Sequence, residues 1–256
     1  MLLAIDAGNS TVSFGFLEGD SLEKVFKAET RKGATSDEYR VFLHGQMAMA
    51  GIDPTMVNGI AISCVVPHLV GLFFEALKGI SDASPLLVST RLKLGIKINY
   101  NSPETLGPDR IASASAAYKT YGGPVIVVDC GTATTFSVVD GSGAFLGGAI
   151  SPGLLTGYDA LTTRASSLPR VGLTFPKNAI GRSTGEGVQS GIILGHAAMV
   201  GGLIEMLRSE LGSQARAVAT GGLSDMVAPH VKGLNDTDPH LTLKGLAGIY
   251  RLNSGN

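Results

Sequence analysis

The 256-residue sequence predicts an α/β protein of two domains with the same topology. Three observations carry that prediction. Glycines, 35 in all, fall in tight groups behind short β-branched runs rather than spreading as in a linker. Runs with strand character alternate with segments of helical period. An acidic turn motif, IDAGNST at Ile5 and VDCGTAT at Val128, occurs twice.

In order along the chain, Leu2 to Ile5 is a short apolar strand closed by Asp6 and a glycine turn, and Thr11 to Leu17 and Leu22 to Ala28 follow as strands around an EGD turn. Ser36 to Ala50 reads as a helix, with Ser36 as N-cap and Asp37 and Glu38 in its first turn. Gly59 to Val65 is the next strand and Leu69 to Lys78 the next helix. Behind Arg110 comes a helix of small residues, Ile111 to Tyr118, then the punctuation YGGP and the run VIVVD, Val125 to Asp129. Gly191 to Leu207 is apolar enough to consider as a membrane span. It is slightly short, and it contains His196, Glu205 and three glycines beyond Gly191, so a buried helix of a soluble protein is expected.

The repeat sets the domain organisation. Superposing Asp6 on Asp129 places Gly8 on Gly131 and Thr11 on Thr134, at a constant offset of 129 − 6 = 123 residues. A polar β-branched stretch follows each copy, TVSFGF and TTFSVV, and then a hairpin turn, EGD and DGSG. A period near half the chain length implies domains at 1–118 and 119–256, each presenting an acidic strand end and a glycine turn to a shared cleft.

Composition excludes several classes of function. Lys plus Arg (20) nearly balances Asp plus Glu (21), which leaves no basic footprint for nucleic acid and none for an anionic membrane. Small molecules and other protein chains remain as partners. Cys64 and Cys130 make no disulfide framework and fit no metal spacing, and no targeting segment is visible, so a cytoplasmic protein beginning at residue 1 is expected. The histidines 44, 68, 196, 230 and 240 show no paired ligand spacing.

The twice-used turn is suited to phosphate. Glycine lets successive amides point into one concavity, Ser and Thr hydroxyls add donors, and a carboxylate can hold the accompanying metal. A D-x-G hairpin is also a common turn, and the repeat in register is what argues for the ligand. On the residues alone, Asp109 and Arg110 read equally as an Asp N-cap beside a surface Arg, Tyr100 as a half-buried aromatic, and Thr184 as the start of the long helix.

DAGNS and DCGTATT, with GPDR between them and with STGEGVQSG at Ser183 and VATGG at Val218 behind, resemble the motifs of the type III pantothenate kinases. These belong to the actin-like superfamily of sugar and acetate kinases, and one branch was described as the Bvg accessory factor. The resemblance spans nearly the whole chain, with Ser10 where Thr is common. It implies two ribonuclease H-like (actin-like ATPase) domains and the phosphorylation of pantothenate by ATP, the first step of coenzyme A biosynthesis. It further implies that Asp6, Ala7, Gly8, Asn9, Ser10, Thr11, Val12 and Ser13 line the ATP phosphates, with Asp6 near Mg²⁺ and the amides of Gly8, Asn9 and Ser10 facing phosphate oxygens. Thr132 joins the nucleotide site, and Asp129 holds a monovalent cation, K⁺ or NH₄⁺. VATGG is expected near the adenosine. Gly107 and Pro108 turn the chain into a helix on which Asp109 is the general base and Arg110 binds pantothenate; Tyr100 borders that pocket, and Thr184 reaches it from the partner subunit of a homodimer.

Other superfamily kinases or phosphatases and a non-catalytic regulatory relative are the competing readings, and retention of Asp109 with Arg110 separates the regulatory relative from the enzymes. The segment Ser190 to Leu211 is apolar on nearly every side, which also points to a homodimer interface.

Overall fold

The computed structural model describes residues 1–212 and 214–255. The chain forms two compact units: Met1–Lys119 together with the segment from Leu241, and Thr120–His240.

In the first unit, strands β1 (Leu2–Ala7), β2 (Thr11–Glu18), β3 (Ser21–Glu29), β4 (Gly59–Cys64) and β5 (Leu86–Leu87) form a sheet of order β3-β2-β1-β4-β5. The β1–β2 and β2–β3 pairs are antiparallel hairpin partners, whereas β4 and β5 add in parallel. Helices α1 (Ser36–Ala50) and α2 (Pro67–Leu77) supply the crossover that parallel pairing requires, and they pack on each other. Phe14 anchors this core against Tyr39, Phe42 and Phe73, with centroid separations of 5.6 to 6.4 Å. A short strand β6 (Lys97–Ile98) precedes α3 (Pro108–Tyr121), and α7, the C-terminal helix (Leu241–Asn253), returns to pack on β1, β2 and β4.

In the second unit, β7 (Val125–Cys130), β8 (Ala133–Val139), β9 (Ala144–Gly147), β10 (Ile150–Pro152), β11 (Arg216–Thr220) and β12 (Asp236–Thr237) are joined by α4 (Leu154–Arg164), α5 (Thr184–Leu211) and α6 (Ser224–Val227). Its strand order, β9-β8-β7-β11-β12, repeats that of the first unit position for position, and β10 adds to β8. The antiparallel and parallel pairings repeat as well. The sequence repeat is therefore a repeat of topology. The core here is mainly aliphatic with one buried aromatic, Phe136, and is built from Ile126, Val128, Phe136 and Leu154 against Ala197, Val200 and Ile204 of α5.

Two expectations need correction. Thr35, not Ser36, caps α1: its backbone is extended (φ −101°, ψ 162°), its hydroxyl accepts from Glu38 N at 3.3 Å, and the Glu38 carboxylate accepts from Thr35 N at 2.7 Å. That reciprocal capping box is worth about 1 kcal/mol. The first domain was expected to end at 118 with everything beyond in the second; the unit boundary falls after Lys119, but α7 belongs with the first unit.

Helix α5 is long and apolar enough to cross a membrane by length and composition. One stripe of it, Val188, Ile193, Ala197, Val200 and Ile204, is buried within its own unit, while Gly191, Gly195, Ala198, Gly202 and Met206 lie exposed along another face.

Candidate active site

Three groups of expected site residues can be followed from their elements. The first is the β1–β2 turn. Asp6 is the fifth residue of β1, half-buried, with its Oδ1 sealed from solvent. Asn9, Ser10 and Thr11 are exposed at the tip, Ala7 and Val12 are buried below it, and Gly8 and Ser13 are partly covered. The turn is braced from β3 onward: Thr30 donates its hydroxyl to Gly8 O at 2.7 Å and its amide to Ser10 O at 3.0 Å. The Gly8 amide donates to Thr11 O at 3.0 Å. That bond closes the turn.

The second group opens α3. Pro108 occupies the first helical position, where no amide is needed, and Gly107 O accepts from Ile111 N at 3.1 Å. Asp109 Oδ1 accepts from the Arg110 amide at 2.8 Å. A Cβ at Gly107 would overlap that carboxylate oxygen, so only glycine leaves it in place. Burial raises the Asp109 pKa above the usual carboxylate value, against the lowering effects of the Arg110 amide and guanidinium. Arg110 is only 8% exposed, and desolvation lowers its pKa; the Tyr100 hydroxyl is in hydrogen-bonding contact with it. A buried guanidinium hydrogen-bonded to the Tyr100 side chain is suited to receive an anion, and the carboxylate beside it is placed to accept a proton.

The third group lies in the second unit. Asp129 is the fifth residue of β7, as Asp6 is of β1, and the Gly131 amide closes its turn onto Ala133 O at 3.1 Å. The exposed Thr132 is fixed through its carbonyl, which accepts from Gly153 N at 3.0 Å and from the Thr156 hydroxyl at 2.6 Å at the start of α4. Thr184 is the first residue of α5 and exposed, directly behind the N-cap Ser183, whose hydroxyl accepts from Glu186 N at 3.3 Å. Gly221, in VATGG, has φ +91°, and a Cβ there would overlap Asp129 Oδ1. This stretch therefore borders the Asp129 carboxylate.

The family model for type III pantothenate kinase matches residues 2–206. A type III pantothenate kinase of Roseiflexus sp. (strain RS-1) is 42% identical over 253 residues, covering 99% of both chains. That of Thermomicrobium roseum is 44% identical over 250 residues, covering 98% of this chain and 96% of its own. The chain belongs to the type III pantothenate kinase family.

Solved structures agree on the fold. A ROK family glucokinase from Streptomyces griseus, solved with glucose and AMPPNP, superposes with a TM-score of 0.57 at 14% identity, over 98% of this chain and 99% of its own. A Baf family protein from Campylobacter jejuni superposes with a TM-score of 0.61 at 22% identity, over 99% of this chain and the whole of the other.

Within this kinase, other residues have a clear place. Cys130 is buried and its thiol is pushed up to about 12, by burial and then by Asp129, so it is strand packing and no nucleophile. Burial lowers the pKa of His196, which hydrogen-bonds the Thr134 hydroxyl at 3.2 Å. No cluster of three or more His, Cys, Asp or Glu suited to a metal occurs among the described residues. Thr156 and Gly221 were not anticipated as individual site residues. Gly221 carried a signal in its double glycine, whereas Thr156 gave none, because its role arises only when α4 folds onto the β7–β8 turn.

Proposed function

We propose a division of labour among these residues for ATP-dependent phosphorylation of pantothenate, the reaction that commits pantothenate to coenzyme A. The chain is a kinase with ATP and pantothenate as substrates and a divalent metal as partner of the nucleotide. Asp109 accepts the proton of the pantothenate primary hydroxyl as that oxygen attacks the γ-phosphorus and ADP leaves. Arg110, held by Tyr100, binds the pantothenate carboxylate. The turn from Asp6 to Ser13 lies along the phosphates, with the exposed Asn9, Ser10 and Thr11 as donors and Asp6 toward Mg²⁺. Mg²⁺ held there by Asp6 would supply positive charge toward the phosphate oxygens. Thr132 contacts the nucleotide, and Asp129 holds K⁺ or NH₄⁺.

The observation that carries this reading is the desolvated carboxylate of Asp109 beside a buried guanidinium on one helix end. Asp109→Asn keeps size and capping ability while removing the proton acceptor. Turnover in a coupled ADP-release assay should fall about 10² to 10⁴-fold with little change in ATP affinity. Wild-type turnover by that variant would reduce the turn to a helix cap.

We place the protein in the cytoplasm, on its balanced charge and biosynthetic reaction. The exposed small-residue face of α5 supports a homodimer in which Thr184 completes the partner's pantothenate site. If Asp129 holds the monovalent cation, activity should depend on K⁺ or NH₄⁺ and fall sharply when Na⁺ replaces them. Equal turnover in K⁺ and Na⁺ would remove that assignment.

A further inference from the structure

In each unit the motif carboxylate sits on the central strand between two hydroxyl residues in register. Asp6 is opposite Ser13 on β2 and beside Ser63 on β4. Asp129 is opposite Thr135 on β8 and beside Thr220 on β11. Residues paired across neighbouring strands project from the same face of a sheet whose strands run about 4.8 Å apart. Each carboxylate is therefore flanked by hydroxyls on both sides, an arrangement the sequence repeat does not display because the parallel strands lie far along the chain.

The hydroxyl on the parallel strand is anomalous in both copies. Ser63 is 0% exposed and Thr220 1% exposed, and neither Ser63 Oγ nor Thr220 Oγ1 has a hydrogen-bond partner among the described residues. A buried hydroxyl left unpartnered costs free energy that an alanine or a valine of similar shape would not. The same unsatisfied group at the same topological position in two units indicates a shared use rather than a packing accident. At Thr220 the neighbouring backbone narrows the use further. Gly221, at φ +91°, turns the chain directly against Asp129 Oδ1 and the Cys130 backbone, so β11 is seated on the carboxylate.

We propose that Thr220 is a cation-binding residue, its Oγ1 supplying a neutral oxygen to the monovalent ion held by Asp129. The inference rests on the assignment of Asp129 made above. A hydroxyl offers two lone pairs and a proton that rotates out of the way, so it can turn from an unsatisfied group into a ligand without moving the strand. One carboxylate with neutral oxygens around it suits a singly charged, weakly hydrated ion.

The test uses the full-length enzyme without nucleotide, melted in titrations of KCl against NaCl at constant ionic strength set with choline chloride. Wild type should gain thermal stability with K⁺ in a saturable way and little with Na⁺. Thr220→Val, which keeps shape and removes the unsatisfied group, should fold at least as stably in choline. Its half-saturating K⁺ concentration should rise about tenfold or more, the loss expected for one polar contact. Thr220→Ser should stay close to wild type, and Asp129→Asn should lose the K⁺ response altogether. Thr220→Ala serves as a second deletion of the hydroxyl should valine impair folding. A wild-type K⁺ midpoint in the hydroxyl-deleted variant, with Asp129→Asn unresponsive, overturns the role of Thr220 alone. A K⁺ response that survives Asp129→Asn, or a wild type indifferent to K⁺, overturns the assignment of Asp129 and the role of Thr220 with it.

Discussion

At the scale of single residues, the position of the Asp109 carboxylate, the proposed general base, depends on an atom that is missing beside it. A Cβ at Gly107 would overlap Asp109 Oδ1 and would lie at an ordinary 3.9 Å from Arg110 Cγ. Gly107→Ala should therefore leave the fold intact and displace the carboxylate. We expect turnover to fall toward that of Asp109→Asn while the melting temperature moves by only a few degrees, as for a change of about 1 kcal/mol. Normal turnover would show that the carboxylate tolerates displacement. Proton linkage gives a second check. The folded pKa of Asp109 is raised by burial, so the native state binds a proton more tightly than the unfolded chain. Stability is then lost as pH rises from the unfolded value of the carboxyl through the folded one, the reverse of a salt-bridged Asp. Asp109→Asn should accordingly be as stable as wild type or more stable at neutral pH, and the acid limb of kcat/KM should lie above the ordinary carboxylate range. The residues of this cluster were legible in GPDR and Tyr100. The contact between Tyr100 and Arg110 was not, because it depends on how the loop before α3 folds back on the helix.

At the scale of elements, β1, β2, β3, β4, β7, β8 and α1 were legible because their signals are local: β-branched runs, glycine turns and an acidic first helical turn; the short strands β5, β6, β9, β10 and β12 and the strand β11 were not singled out. Helix α7 was not assigned to the first unit because nothing local marks its partner. Its seat is made by two close approaches, a Cβ at Gly245 overlapping the Ala112 carbonyl of α3 and one at Gly59 lying 2.6 Å from the Tyr250 ring. Gly245 thus lets α7 press on the same helix that presents Asp109. By propensity alone a helical Gly→Ala change adds up to about 1 kcal/mol. At Gly245 the backbone collision should reverse the sign, and Gly245→Ala should lower stability by about 1 to 3 kcal/mol, read as a lower urea midpoint at unchanged slope. Gly248, on the same helix, has open space around its Cβ position. Gly248→Ala should show the propensity gain. If both substitutions stabilise, the contact between α7 and α3 is looser than these distances state.

At the scale of the whole molecule, α5 carries more apolar surface than its own unit covers. Its exposed face runs Gly191, Gly195, Ala198, Gly202 and Met206, at steps of four, three, four and four residues, so these positions share one side of the helix. A cavity of about 420 Å³ lined by Leu194, Ala198, Gly201, Glu205 and Lys232 opens beside it. Small residues let helix backbones approach closely, so a second copy of α5 laid along this face would bury the stripe in an isologous contact. A Cβ at Gly195 meets nothing in the single chain. Gly195→Leu should therefore leave the protomer folded, with a helix-propensity gain of up to about 1 kcal/mol, and should separate the dimer by blocking close approach. Sedimentation at micromolar concentration should find a dimer for wild type and a monomer for the variant. Because Thr184 begins the same helix and is assigned to the partner's pantothenate site, the monomer should also need more pantothenate for half-maximal rate, as should dimeric Thr184→Ala. A Gly195→Leu protein that remains a dimer would place the interface elsewhere, and a monomer with unchanged pantothenate dependence would return Thr184 to the role of a helix start.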